Sequence, residues 1–285
     1  MKLAVVGAVG RMGTTVLRLA RAAGDVTIVG ACDAPGSINV GRDVGEVVAL
    51  GSLGVAISAD VDAALLGADA CIDFSTPAAT RSVAKAIARA KCAWVCGTTG
   101  LDAATERLID QAAESAPVLW APNMSVGVEV LAALVREAVA RLGVGYDVEI
   151  VETHHRRKAD APSGTAKRLA EAAREARSSL RSIHGREGLA AMRADDELAV
   201  LAVRGGDVIG DHTVHLLGDG ERLELTHRAT SRDLFAHGAL RAARFLAKKP
   251  AGRYTMRDVL AGAPAPELNL PAAEHAARLR VRSLG

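Results

Sequence analysis

Short apolar runs alternate with helix-like segments along the first 125 residues of the chain. Strands are predicted at residues 2–6, 26–32, 70–74, 93–96 and 117–121, and helices at 14–23, 78–90 and 103–115. Runs this short and this apolar are typical of strands that are covered on both faces. The pattern therefore predicts an α/β domain with a parallel sheet between two layers of helices.

The pattern changes after a long helical segment at residues 126–142. Four strands are predicted at 147–153, 198–203, 211–217 and 222–227, joined partly by glycine turns at 205–207 and 218–220, and a helix at 166–176. Hairpin-like turns favour an antiparallel or mixed sheet, so this half is predicted to be α+β. We expect domains at residues 1–125 and 126–234, with 235–285 packing back onto the first, beginning with a helix at 235–249. The tail at 261–285 has no functional interpretation.

Composition narrows the classes of function. The chain has 285 residues, 49% of them apolar, with 35 Lys and Arg against 33 Asp and Glu and only 2% aromatics. A near-neutral charge and few stacking side chains argue against nucleic acid or a membrane surface as partner. No uncharged run approaches the ~18 apolar residues of a membrane span. We therefore expect a cytoplasmic protein that acts on a small molecule.

The four cysteines are predicted to be buried free thiols. Cys32, Cys71 and Cys92 fall in or beside apolar runs, and Cys96 follows Cys92 at a C-x-x-x-C spacing. No second pair of ligands accompanies that spacing, so no metal site is expected. Free thiols are typical of a reducing cytoplasm.

A glycine-rich turn follows the first predicted strand and opens the first helix. Residues 7–13 read GAVGRMG, and Asp33 lies twenty residues beyond Gly13, at the end of the second strand. Glycines permit close approach to a pyrophosphate at the helix N-terminus, and an acid at this spacing binds the ribose hydroxyls. Val9 stands where a glycine is more usual. The context predicts a Rossmann-like dinucleotide site; the alternative is a tight turn without a ligand.

The same residues bear on the choice of cofactor. The Asp33 carboxylate repels a 2′-phosphate, and the next residue is Ala34 rather than a cation. This favours NADH. Arg11 opposes that preference, because its side chain can reach phosphate oxygens. The sequence therefore predicts NADH or NADPH, with a preference for NADH or dual use.

A second constellation occupies residues 152–165, which read ETHHRRKADAPSGT. Histidine exchanges protons near neutral pH, a lysine adds a positive charge, and the N–H groups of Ser163, Gly164 and Thr165 at a helix start form an anion seat. Strand alternation places Glu152 and His154 on one face and His155 on the other. The segment predicts a site that holds a carboxylate and protonates its neighbour; the alternative is a solvated strand end.

On this segment the chain resembles the dihydrodipicolinate reductases, now called 4-hydroxy-tetrahydrodipicolinate reductases. Residues 152–166 match the motif E-x-H-H-x-x-K-x-D-x-P-S-G-T-A throughout. Further matches lie at residues 7–13, 97–100, 123–127, 204–213 and 256–260, so the resemblance covers about residues 1–260. Relatives often carry a cation directly after the ribose-binding acid or within a Phe-Thr-x-Pro loop. Here the corresponding positions hold Ala34 and Ser75-Thr76-Pro77, none of which is a cation. This weakens the case for strict NADPH use.

The resemblance implies an enzyme of lysine and diaminopimelate synthesis. It would use NAD(P)H to reduce a cyclic imine that carries two carboxylates, with loss of water, as a homotetramer built through the second sheet. By position, His154 would be proton donor or acceptor and Lys158 proton donor. Substrate would contact His155, Ser163, Gly164 and Thr165. Cofactor would contact Gly7, Ala8, Val9, Gly10, Arg11, Met12, Asp33, Gly97, Thr98, Thr99, Ala121, Pro122, Asn123 and Met124.

Two other functions are compatible with the same architecture. An amino-acid dehydrogenase resembling aspartate dehydrogenase would need no dicarboxylate imine, and a panel of substrates would separate it from the reductase. A non-catalytic nucleotide sensor would have no use for proton donors, so the His154 and Lys158 pair argues against it.

Overall fold

The structure is a computed structural model that describes residues 1–189 and 192–261. The strands are β1 Lys2–Val6, β2 Thr27–Cys32, β3 Ile57–Ser58, β4 Ala70–Asp73, β5 Ala93–Cys96, β6 Pro117–Trp120, β7 Asp147–His154, β8 Arg181–Ile183, β9 Glu197–Arg204, β10 Gly210–Gly218, β11 Glu221–Ala229 and β12 Gly252–Tyr254. The α-helices are α1 Arg11–Ala22, α2 Val44–Val47, α3 Val61–Ala64, α4 Pro77–Ala90, α5 Ala103–Ala113, α6 Val126–Leu142, α7 Gly164–Ala176, α8 Asp233–Leu246 and α9 Met256–Ala261.

The first sheet is parallel throughout, as the short apolar runs predict. Its seven strands follow the order β12-β6-β5-β4-β1-β2-β3. Alternate residues of β1 enter two different cores: Leu3 and Val5 pack with α1 and α8, whereas Ala4 and Val6 pack with α3, α4 and α5. Apolar side chains on both faces explain why these strands show no polar alternation.

The elements that the sequence analysis missed are short. They include α2, β3 and α3 between residues 34 and 69, and the three-residue strands β8 and β12. A helix of about one turn, or a strand shorter than two periods, carries no readable hydrophobic pattern. Helix α1 also begins at Arg11 rather than residue 14, because the glycine turn runs directly into it.

The second sheet is mixed, with strand order β11-β10-β7-β9-β8. Strand β7 runs parallel to β9 and antiparallel to β10. Helices α6 and α7 cover one face of this sheet, where Val148 and Ile150 of β7 are fully buried. The same alternation carries Glu152 and His154 into the covered face at the end of β7.

Helix α8 returns to the first sheet after the second sheet is complete. It packs against β4, β5 and α1, and β12 then joins the edge of that sheet beside β6. At Gly238 the helix approaches the loop after β6 so closely that a Cβ would lie 1.7 Å from the Met124 carbonyl oxygen. The domain limits at residues 125 and 234 stay a prediction. In the described residues, no helix has the length and apolar character needed to cross a membrane.

Candidate active site

The glycine turn is shaped by backbone contacts that leave no room for side chains. Gly7 has φ +72°, and a Cβ on Gly13 would lie 2.1 Å from the Gly7 carbonyl oxygen. Helix α1 then begins with no side-chain cap and no acid in its first turn. Its first N–H groups have no intrahelical acceptor, so they suit a pyrophosphate. Ala8 is fully buried and Val9 is partly buried, so the turn offers its backbone rather than these side chains.

Asp33 borders a mainly apolar cavity at the carboxyl ends of β1 and β2. The cavity is lined by Val6, Gly7, Gly10, Cys32, Asp33, Ala34, Pro35, Ala59, Val61, Phe74, Ser75, Thr76, Ala79 and Ser82. Apolar walls with one carboxylate fit the adenosine half of a dinucleotide. No lysine or arginine is among these lining residues, so Arg11 does not belong to this cavity.

A neighbouring cavity shares Phe74 and Ser75 with the first. It brings together Arg11, Met12, Gly97, Thr98, Thr99, Pro122, Met124, Arg232 and Phe235. The Phe74 ring packs against Gly97, where a Cβ would be 2.1 Å from a ring carbon. Because the two cavities share these residues, they lie side by side, which suits an elongated ligand. Arg232 and Phe235 were missed by the sequence analysis, since nothing in their spacing links them to the glycine turn.

Asp73 connects the loop after β4, which carries the wall shared by the two cavities, to the loop after β5. It is fully buried at the end of β4, and burial raises the pKa of its carboxyl. The carboxyl accepts hydrogen bonds from the Ser75 N–H at 2.9 Å and from the hydroxyls of Thr80 and Thr98 at 3.4 Å each. Asp73 therefore holds the loops after β4 and β5 in register.

A third cleft connects the nucleotide-binding half to the start of α7. Ala121, Pro122 and Asn123 line it together with Gly164 and Thr165. The Asn123 side-chain amide donates to the Thr165 hydroxyl at 2.7 Å, and its oxygen accepts from the Ser125 N–H at 2.8 Å. Residues predicted to bind cofactor and substrate thus meet here, and the Asn123 side chain contacts protein on both sides.

Glu152 and His154 form a buried pair at the end of β7. Glu152 is fully buried, and its Oε2 lies 2.5 Å from His154 Nδ1. Burial raises the pKa of the Glu152 carboxyl, but hydrogen bonds from Arg204, His154 and the Ser163 N–H outweigh burial and hold it below its usual range. An ionised carboxylate only accepts hydrogen bonds, so Nδ1 carries the proton and Nε2 presents a lone pair.

The electrostatics keep His154 neutral. Burial lowers the pKa of His154 below its usual range; the Glu152 carboxylate opposes this shift, and the charges of Lys158 and Arg204 reinforce it. Across the sheet, His212 of β10 is paired in register with Glu152, and its ring centroid lies 5.1 Å from that of His154. In this state His154 is a proton acceptor at Nε2.

Lys158 supplies the positive charge beside this pair. Its side chain is 20% exposed, and Nζ donates to both carboxylate oxygens of Asp160 at 2.8 and 2.9 Å. The Lys158 N–H donates to the His155 carbonyl at 3.1 Å, which closes a turn directly after β7. His154 and Lys158 are not among the residues that line the three cavities; Glu152 connects His154 to the start of α7 through the Ser163 N–H at 3.0 Å.

Ser163 caps α7 and leaves the anion seat to its neighbours. Its Oγ accepts from the Ala166 N–H at 3.2 Å and lies 3.1 Å from His212 Nε2, while its own N–H is bound to Glu152. Gly164 and Thr165 are the first residues of α7, so their N–H groups have no acceptor within the helix. Two of the three predicted N–H donors are thus available to a carboxylate.

His155 follows directly after β7, which ends at His154. Its N–H donates to the Val208 carbonyl at 2.7 Å, which fixes the backbone. Its Nδ1 is buried and has no hydrogen-bond partner within the described part of the chain. The imidazole therefore has one ring nitrogen whose hydrogen-bonding capacity is unused.

Two residues of the buried network were missed as functional residues by the sequence analysis. Arg204 of β9 lies opposite His154, and His212 of β10 lies opposite Glu152. Both belong to residues 204–213, which carry part of the family resemblance, but their partners depend on strand order. The four cysteines are buried and free, as predicted.

Comparison with known proteins gives matches to one family. Two family models match: "Dihydrodipicolinate reductase, N-terminus" over residues 1–124 and "Dihydrodipicolinate reductase, C-terminus" over residues 127–260. A 4-hydroxy-tetrahydrodipicolinate reductase of Anaeromyxobacter dehalogenans (strain 2CP-1) is 48% identical over 262 residues, which cover 91% of this chain and 97% of that protein. The corresponding protein of Halorhodospira halophila is 46% identical over 261 residues, with 90% and 98% covered.

One solved structure shows the same fold. The dipicolinate-bound dihydrodipicolinate reductase from Paenisporosarcina sp. TG-14 superposes with a TM-score of 0.70 at 21% identity, covering 90% of this chain and 97% of that one. At this level of identity the likeness concerns the fold: a parallel Rossmann-like sheet joined to a smaller mixed sheet.

Proposed function

Since the chain belongs to the dihydrodipicolinate reductase family, we propose that its second sheet holds and protonates the substrate while its first sheet binds the cofactor. The chain is an oxidoreductase that reduces 4-hydroxy-tetrahydrodipicolinate in lysine and diaminopimelate biosynthesis, with a pyridine nucleotide. The observation that carries the assignment of roles is the Glu152–His154 pair, which Ser163 connects to the Gly164 and Thr165 N–H groups.

The pyridine nucleotide supplies a hydride when bound. The reaction consumes that hydride and one proton, and one water leaves the substrate. Lys158 is the charged proton donor of the free chain, whereas His154 presents a lone pair at Nε2. A substrate with two carboxylates adds negative charge near His154 and favours its imidazolium form. We therefore propose that Lys158 delivers the first proton and that His154 takes up or returns a proton. General acid–base catalysis of this kind contributes ~10²–10⁴ in rate.

The carboxylates of the substrate require fixed donors and cations. We propose that the Gly164 and Thr165 N–H groups hold one carboxylate and that His155 and Lys158 hold the other. The Ser163 hydroxyl would stabilise this group of N–H donors, since it caps the same helix. Closure of the cleft between Asn123 and α7 would bring these donors to the cofactor cavities.

For the cofactor we propose a preference for NADH, with NADPH accepted less well. The supporting observation is a cavity beside Asp33 with no lysine or arginine in its lining. Fluorescence titration with both nucleotides is expected to give the lower Kd for NADH, and Asp33→Ala to narrow the difference. Equal affinities, or tighter NADPH binding, would contradict the role given to Asp33.

We further propose that the chain forms a homotetramer through the outer face of the second sheet and works in the cytoplasm, where buried thiols stay reduced. On that face Val203 and Leu217 are 47% and 37% exposed. Light scattering is expected to give four times 29.4 kDa. Val203→Lys is expected to lower this mass, and a monomeric wild type would refute the proposal.

The reaction itself is tested with substrate freshly made from pyruvate and aspartate semialdehyde. We expect oxidation of NADH or NADPH that depends on both the chain and the substrate. A parallel assay with aspartate as substrate distinguishes an aspartate dehydrogenase-like activity. Absence of turnover with either nucleotide would contradict the assignment.

A further inference from the structure

Arg204 makes the most extensive contacts to the buried pair of the candidate active site. It ends β9 opposite His154, and its two terminal nitrogens donate to the two carboxylate oxygens of Glu152 at 2.8 Å each. The Glu152 side chain is 0% exposed and that of Arg204 is 20% exposed. A planar guanidinium in this two-pronged geometry fixes both the charge and the orientation of the carboxylate.

That orientation decides how His154 presents its ring. Glu152 Oε2 accepts from His154 Nδ1, which leaves Nε2 as the free nitrogen. Without Arg204, a fully buried carboxylate would take up a proton or turn away, because an uncompensated buried charge is strongly unfavourable. His154 would then lose the acceptor that selects its tautomer.

The same guanidinium also reaches the segment that carries Lys158. Arg204 Nη2 donates to the Asp160 backbone carbonyl at 2.7 Å, and the Asp160 carboxylate holds the Lys158 ammonium at 2.8 Å. One arginine therefore connects the carboxylate that orients His154 with the loop that positions Lys158. No substrate or cofactor contact is needed for either connection.

We propose that Arg204 is a positioning residue for both proton-handling groups, acting on His154 through Glu152 and on Lys158 through the backbone of Asp160. The proposal rests on the function assigned to His154 and Lys158 above. The charged or titratable groups that face His154 are Glu152 on its own strand, Arg204 on β9, His212 on β10 and Lys158 on the following loop. Among them, only Arg204 contacts both Glu152 and the Lys158 loop.

Stability alone does not explain this arrangement. A buried ion pair is often no more stabilising than apolar side chains of similar volume. A purely structural arginine would be replaceable without any change in the protonation pattern of His154. Replacing a positioning arginine would change the protonation pattern of His154, and this change can be measured.

The experiment compares Arg204→Ala and Arg204→Lys with a matched control. The control is Arg181→Ala, because Arg181 lies in the same sheet and grips Asp196 with two nitrogens but is 66% exposed. Arg204→Ala is expected to lower kcat by ~10²-fold or more, since a displacement of ~1 Å at catalytic groups has that effect. Cofactor Kd is expected to stay within about twofold, because no cofactor contact is removed.

Chemical rescue separates positioning from general damage. Guanidinium at low millimolar concentration is expected to raise the kcat of Arg204→Ala at least about tenfold. The kcat of Arg181→Ala is expected to stay the same. Arg204→Lys keeps the charge without the parallel pair of bonds, so it is expected to recover only part of kcat. Nitrogen NMR of ¹⁵N-histidine protein gives a readout independent of turnover: wild type is expected to show His154 protonated at Nδ1, and Arg204→Ala a mixture of tautomers.

Two results would overturn the proposal. The first is a His154 tautomer that is the same in wild type and in Arg204→Lys or Arg204→Ala, with kcat unchanged. The second is a loss of kcat without rescue and without a change in tautomer. If Arg204→Ala does not fold, the tautomer and kcat of Arg204→Lys decide the matter. An inactive wild type would instead refute the reductase assignment, so the two failures are distinguishable.

Discussion

Gly210 lies beside the His154 ring, and adding one methyl group there perturbs this ring directly. A Cβ at position 210 would lie 3.0 Å from His154 Nε2 and 3.4 Å from its Cδ2. Gly210 is not among the glycines with positive φ, so alanine fits the backbone. The only cost of Gly210→Ala is therefore the contact with the ring.

The size of the effect follows from these distances. A Cβ contact of 3.0 Å forces its neighbour to give by a few tenths of an ångström. The ring cannot simply slide away, because its Nδ1 is held 2.5 Å from buried Glu152. A misplacement of ~1 Å lowers rates by ~10²-fold, so a few tenths corresponds to a loss of about threefold to tenfold in kcat. Replacing a strand glycine gains about 0.5–1 kcal/mol, which offsets the lower end of the ~1–3 kcal/mol that overpacking costs.

The assay measures kcat, KM and cofactor Kd for Gly210→Ala beside Gly205→Ala. Gly205 is a matched control in the preceding turn, with open space around its Cβ position and no positive φ. We expect a lower kcat only for Gly210→Ala, with cofactor Kd and Tm close to wild type in both. A Gly210→Ala enzyme with unchanged kcat, or with cofactor affinity lost in proportion, would refute the role of the His154 ring.

Two further perturbations probe the other parts of the structure. Gly13→Ala places a Cβ 2.1 Å from the Gly7 carbonyl oxygen. In a fluorescence titration, the nucleotide Kd of this variant is expected to rise at least about tenfold, while the Kd of Gly205→Ala stays normal. A normal Kd for Gly13→Ala would show that the turn does not bind nucleotide. Burial lowers the pKa of His212 from 6.5 to about 3, so the unfolded chain binds the proton first as pH falls. The stability conferred by neutral His212 is then full above pH 6.5 and declines by up to ~1.4 kcal/mol per pH unit below it. In urea unfolding, the free energy of unfolding of His212→Asn should decline less steeply with falling pH than that of wild type. Equal slopes in the two proteins would contradict the buried neutral state.

The first sheet was predictable because its strands are covered on both faces. Apolar runs such as residues 70–74 and 93–96 carry that signal over several consecutive positions. Strand β12 escaped prediction because three residues at a sheet edge show no period, and its place beside β6 depends on α8 returning to the first sheet. Local pattern therefore predicts the layers but not the contacts that join distant parts of the chain.

The same distinction applies to the candidate site. His154, Lys158 and Gly164 fall within one short segment, where their chemistry can be recognised from spacing alone. Arg204 lies fifty residues beyond His154 and meets it only because β9 is inserted beside β7 in the strand order. The Ser163 N–H, unlike that of Gly164, is bound by the Glu152 carboxylate, and no periodicity reveals this contact.

The division of roles between the two sheets is tested most directly by His154→Ala and Lys158→Ala. For each variant, single-turnover oxidation of the nucleotide is measured with freshly made substrate, beside nucleotide Kd from titration. We predict that both variants slow the turnover step by ~10²-fold or more while nucleotide Kd stays within about twofold of wild type. Nucleotide binding lost together with turnover, or turnover unchanged in both variants, would contradict the account.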